Sequence, residues 1–206
     1  ELDGFIEFNT TRNEAYSIAV DFLNDQNIDV SDYSHYIDEE KDILGWSRGV
    51  NTGWSTIGSM NLKVSQYIIE NAHKDSIRNV SEIIKDVYTE HESPYQWNVR
   101  FYKPGEIREY EIDIDVRTGN VGEYERTLAD TTYLPSIEAD SAIIIAKNEL
   151  EEKWGFNSNL YSLKKINSED KENRTDHNIT FQSEEFIGKA RYLYFVTIQG
   201  DMIGSV

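Results

Sequence analysis

The chain has 206 residues, and 20 Lys plus Arg stand against 38 Asp plus Glu, a formal net charge of −18. That balance disfavours nucleic acid and direct binding to anionic membranes, because both are held by Lys and Arg. The 12% of aromatic residues exceeds what a disordered acidic tail carries, and the lack of cysteine excludes disulfides, thiolate catalysis and cysteine zinc sites.

In chain order, Thr11-Arg-Asn-Glu14 reads as a capping box that opens a helix. Ala15, Ile18, Ala19, Phe22 and Leu23 then recur at helical spacing and form its apolar stripe. Roughly residues 38–95 read as an insertion. It starts with a Gly/Trp-rich loop at 45–58, which holds Trp46 and Trp54, and continues with helical periodicity over 61–72 and 76–88. Trp46 and Trp54 either bind a partner from that loop or plug the insertion onto the sheet. Strands follow. Trp97, Val99 and Phe101 share one face of 97–102. Tyr110, Ile112, Ile114 and Val116 share one face of the next strand, and Glu109, Glu111, Asp113 and Asp115 form an acidic ladder expected in solvent. A second helix is expected from about Ser136, just after Pro135. The strand 190–198 is apolar on both faces, with Leu193 and Phe195 on one, and is expected to join two halves of the molecule.

The chain repeats itself. Residues 13–23 align with 140–150, so that Ala15, Ile18, Ala19 and Leu23 fall on Ala142, Ile145, Ala146 and Leu150. Residues 28–34 align with 156–162, 97–102 with 177–182, and 110–122 with 192–204, all in the same order. The expected fold is therefore α+β. Two repeats, 1–130 and 131–206, would each lay one helix on an antiparallel sheet of three or four strands, and the first carries the helical insertion.

Catalytic constellations are absent from the sequence. There is no HExxH, nucleophile elbow, P-loop or GxGxxG, and no cofactor or metal is expected. Arg174, Asp176 and His177 bring a cation, an anion and a titratable ring within four residues at the start of a strand. They read either as a ligand contact or as a clasp in which Asp176 caps turn amides, Arg174 pairs with an acid and His177 takes the place of Trp97.

Trp97, Val99, Arg100, Phe101, Pro104, Glu109, Tyr110, Asp115, Thr118 and Gly119 form an ordered pattern. It resembles the extracytoplasmic region of bacterial CPBP (CAAX-protease-like) intramembrane metalloproteases. Arg174, Asp176, His177 and Phe181 are similar to a second element of that region, from which Ile179 and Gln182 depart. The stretch 114–121 also resembles PepSY domains, a helix-plus-antiparallel-sheet unit. The likeness covers roughly 11–35, 96–128 and 136–204, and leaves out 38–95.

The resemblance implies two PepSY/cystatin-like repeats standing outside the cytoplasm and anchored to the cell membrane by a protease domain. It carries no catalytic residue over. The family's EExxxR motif would need Arg where Leu44 follows Glu39-Glu40, and where Lys189 follows Glu184-Glu185. The expected role is a non-catalytic binding or regulatory module. Its partner would be a peptide or protein segment, the parent's own protease domain included, met by Trp46, Trp54, Arg174, Asp176 and His177. Two alternatives stand beside it: a free secreted PepSY-like protease inhibitor or chaperone, and a hydrolase with carboxylates in the Trp-lined insertion. The start at Glu1 suggests a removed targeting segment or a piece of a longer protein.

Overall fold

The structure is a computed structural model that describes residues 8–41, 95–185 and 191–206, of which 39–41 are described by backbone alone. Trp46, Trp54 and the helices expected over 61–72 and 76–88 lie outside the described residues.

The first helix, α1 (Arg12–Asp25), forms where its cap demands. The Glu14 amide donates to Thr11 Oγ1 at 3.3 Å, and the Thr11 amide donates to Glu14 Oε2 at 2.8 Å. The Thr11 hydroxyl and amide hold the Glu14 carboxyl below its ordinary pKa. That contribution is present above the ordinary carboxylate pKa and fades as pH falls through the lowered one. Thr11→Ala should cost about 1 kcal/mol in denaturant unfolding. It should also return the Glu14 pKa toward its ordinary value in an NMR titration; an unmoved pKa would mean that the cap does not set it.

Ala15, Ala19 and Leu23 are fully buried on α1. Ile18 and Phe22 are half-buried, at the border of the stripe rather than inside it. The second helix, α2 (Ala139–Lys153), buries Ala142, Ala146 and Leu150 at the aligned positions. It starts three residues later than Ser136. The chain before it is held extended: the Leu134 amide donates to the Asn173 carbonyl at 3.4 Å, and the Ile137 carbonyl is taken by His177.

The strands are β1 (Ser34–Lys41), β2 (Tyr95–Tyr102), β3 (Glu109–Asp115), β4 (Val121–Thr127), β5 (Tyr161–Asp170), β6 (Thr175–Ser183), β7 (Leu193–Gln199) and β8 (Met202–Ser205). They form one antiparallel sheet in the order β1-β2-β3-β4-β8-β7-β6-β5. Among the described residues the element order is thus one helix and four strands, twice over. The sheet order runs 1 to 4, then 8 back to 5. Helix α2 contacts β6, β7 and β8.

Two compact units divide the chain: Glu1–Arg100 with Ile112–Gly122, and Phe101–Glu111 with Glu123–Val206. Within the first unit, Leu23, Val99, Ile112, Ile114 and Val116 lie at the heart of the core. Within the second, the heart is Phe101, Tyr124, Leu150, Ile179, Phe181 and Ile198. Gly200 turns β7 into β8 at a φ of +62°, and a Cβ there would run into Leu134.

Two expectations are corrected. The strand 190–198 does not join the halves of the sheet: β8 pairs with β4 through Glu125 opposite Ser205, and β7 lies between β8 and β6. Tyr124 and Val206 exchange backbone hydrogen bonds of 3.1 and 3.0 Å, so the two strands satisfy each other's ladder groups directly. Phe195 is left 53% exposed. Nor is the acidic ladder wholly in solvent. Asp113 is only 3% exposed and accepts a 2.7 Å hydrogen bond from Asn98 Nδ2, a donor that a desolvated carboxylate needs. Glu109, Glu111 and Asp115 are half-buried.

Candidate functional site

Arg174, Asp176 and His177 come together at the start of β6, inside the second unit. All three side chains are buried. Arg174 Nε donates to Asp176 Oδ1 at 2.8 Å and Nη2 to Oδ2 at 3.2 Å, a two-pronged pair. Its Nη1 donates to the carbonyls of Ala129 at 2.8 Å and Thr132 at 3.1 Å. The expected clasp is present, with one change of role. The Asp176 carboxylate meets Arg174 rather than turn amides, because residue i+2 on a strand returns to the same face and the guanidinium fork fits a carboxylate edge.

His177 is held at both ring nitrogens, by Ser168 Oγ at 2.8 Å from Nδ1 and by the Ile137 carbonyl at 2.9 Å from Nε2. The latter contact fixes a proton on Nε2, leaving Nδ1 to accept from the Ser168 hydroxyl.

The same device occurs in the first unit. Trp97 Nε1 donates to the Thr10 carbonyl at 2.8 Å. Thr10 stands immediately before the Thr11 cap of α1, and Ile137 immediately before the Glu138 cap of α2. The sequence alignment that sets Ala15 on Ala142 also sets Thr10 on Ile137, and the one that sets Val99 on Ile179 sets Trp97 on His177. In each unit an aligned ring N–H therefore fixes the carbonyl from which the helix departs. An indole and an imidazole share that one donor, so the alignment could find the position although the residue types differ.

Other groups escaped the sequence reading. Strand β5 ends the sheet order with ten residues, eight of them exposed. A bulge between Leu163 and Lys165 interrupts its pairing with β6. On β6 and β7, Thr180 stands opposite Phe195 and Gln182 opposite Leu193. Phe195 is exposed; Leu193, Thr180 and Gln182 are half-buried. These residues form a mixed apolar and amide surface beside the β5 edge. Strongly polar edge strands carry no alternation to betray them, so β5 had no signal beyond its place between two better-marked elements.

Among the described residues no group of three or more His, Asp or Glu is placed to hold a metal ion, and no helix is long and apolar enough to cross a membrane. No protein-family model, no curated protein and no solved structure matches the chain.

Proposed function

We propose that the chain is a non-catalytic binding or regulatory module of two PepSY/cystatin-like repeats, about 1–130 and 131–206. In each repeat a helix packs on its antiparallel strands. The module stands outside the cytoplasm and is anchored to the cell membrane as part of a CPBP-family intramembrane protease. The observation that carries the reading is the doubled helix-plus-four-strand order, with its helix entries pinned by Trp97 and His177.

The partner is a peptide or protein segment, the parent's own protease domain first among them. Arg174, Asp176 and His177 serve it indirectly, because their polar atoms are engaged with one another and with the 129–137 segment. The direct contacts fall to the Phe195 surface, the β5 edge and the Trp46 and Trp54 loop. An extended segment can add to an edge strand through its main chain and gain specificity from side chains on alternate sides.

The test uses the full reading frame expressed in its membrane. A photocrosslinking residue at 195 should capture a segment of the same polypeptide or a neighbouring protein, and capture should fall in Trp46→Ala/Trp54→Ala. Residues 1–206 hold no cysteine, and Tyr133 is 76% exposed, so Tyr133→Cys, compared with the unsubstituted protein, adds one label site in this region. A membrane-impermeant maleimide should reach it in intact cells. Labelling only after permeabilisation would overturn the location, and an empty crosslink at 195 would overturn the binding surface.

A further inference from the structure

We propose that Arg126 holds a small monovalent anion, a halide or a single carboxylate group, inside the second unit, with the charge of Arg108 in support. Arg126 lies on β4 and is 5% exposed. Its Nε donates to Gln199 Oε1 at 3.0 Å and its Nη1 to the Met202 sulfur at 3.4 Å. Its Nη2 is buried without a hydrogen-bond partner, and no acidic side chain pairs with it among the described residues. Arg174, buried as deeply in the same unit, commits Nε, Nη1 and Nη2 to acceptors. A buried cation with only neutral partners is costly, and structures ordinarily supply the missing charge.

The orientation of Arg126 is fixed by groups that cannot neutralise it. Gly204 has no side chain, and Gln199 occupies the space: a Cβ at 204 would fall 2.6 Å from Gln199 Cγ. Gln199 also donates through Nε2 to the Arg126 carbonyl at 3.3 Å. One amide thus holds both the Arg126 guanidinium, through its oxygen, and the Arg126 main-chain carbonyl, through its nitrogen, and both N–H groups of Nη2 are kept back.

Two further cations act on Arg126. Burial lowers the Arg126 pKa most; Arg108 and Arg174 lower it further, while Tyr124 and Tyr110 oppose them. Burial also pushes the Tyr124 phenol far above its ordinary pKa, so it stays neutral and supplies no counter-charge. The charge of Arg174 is matched by Asp176, whereas Arg126 forms no ion pair among the described residues. The two N–H groups of Nη2 suit one halide or one carboxylate. Phosphate and sulfate would ask for more donors and more positive charge than Arg126 and Arg108 provide.

Thermal unfolding of the purified chain tests the site. Sodium methanesulfonate is replaced stepwise by sodium chloride or by sodium acetate at constant ionic strength. The anion that fits should raise Tm by roughly 3–6 °C at ten times its dissociation constant. A response to chloride alone assigns a halide, and a response to acetate assigns a carboxylate. Arg126→Met should abolish the response, and Arg108→Gln, at an exposed position, should weaken it several-fold without loss of fold. A wild type indifferent to both anions overturns the proposal. So does a response that survives in Arg126→Met, or, should that variant not fold, one that is unchanged in Arg108→Gln.

Discussion

Asp176→Ala should destabilise the chain by about 3–5 kcal/mol, the cost of leaving a buried charge without its partner. Arg174 would keep its two carbonyl acceptors and lose both prongs to the carboxylate, with almost no solvent to replace them. The loss should reach beyond β6, because Arg174 carries the carbonyls of Ala129 and Thr132 on the connection into α2. Arg174→Met combined with Asp176→Leu should recover much of the difference, since a well-packed apolar pair can stand in for a buried ion pair. Urea unfolding of Asp176→Ala, of Arg174→Met and of the double variant measures this. Single variants within experimental error of wild type would show the pair to be dispensable.

Phe181→Ala should cost about 3–5 kcal/mol, whereas Phe195→Ala should stay within about 0.5 kcal/mol. The two phenylalanines sit on neighbouring strands and differ only in the face they occupy. Phe181 is fully buried and stacks edge-on to Phe156 at a centroid distance of 5.3 Å. Phe156 in turn meets Tyr161 at 4.7 Å and Tyr194 at 5.6 Å. Truncating Phe181 opens a cavity at the centre of this ring cluster. Phe195, one register position away opposite Thr180, has little to lose. Equal costs at the two positions would mean that Phe195 is covered in solution, against its exposure here.

Legibility in the sequence followed the strength of the local signal. The capping box, the alanine-and-leucine stripes of both helices and the alternation in β2 and β3 were readable because apolar and polar side chains recur there at the helix or strand period, although the polar face of β2 and β3 is itself partly buried. The clasp at Arg174 and His177 was readable through the repeat, which told what Trp97 and His177 should have in common. Strands β1 and β5 were not, since each ends the sheet order and β5 is solvated on both faces. The strand 190–198 misled for a related reason. Apolar residues on two faces suggested a covered strand, yet a central strand needs only its edges satisfied and tolerates a ring in water. The burial of Asp113 depended on an amide donor that a different strand supplies, information that is not local. Arg126 gave no sign at all, because only the meeting of β4, β7 and β8 isolates its Nη2.

The pairing of β4 with β8 also has a kinetic side. Strands β5 and β6 close through Asp170 opposite Thr175, and β7 and β8 through Gln199 opposite Met202, partners that are close neighbours along the chain. Glu125 and Ser205 are eighty residues apart. Closing so long a loop costs entropy that only the finished ladder returns, so the local hairpins form first and this seam zips last. A weakened seam, as in Ser205→Gly, should therefore speed unfolding in stopped-flow mixing and leave the refolding rate close to wild type. Slowed refolding would instead put the seam in the nucleus. A seam made last is also the first to open, so brief excursions from the native state should expose the facing edges of β4 and β8 while the hairpins stay folded.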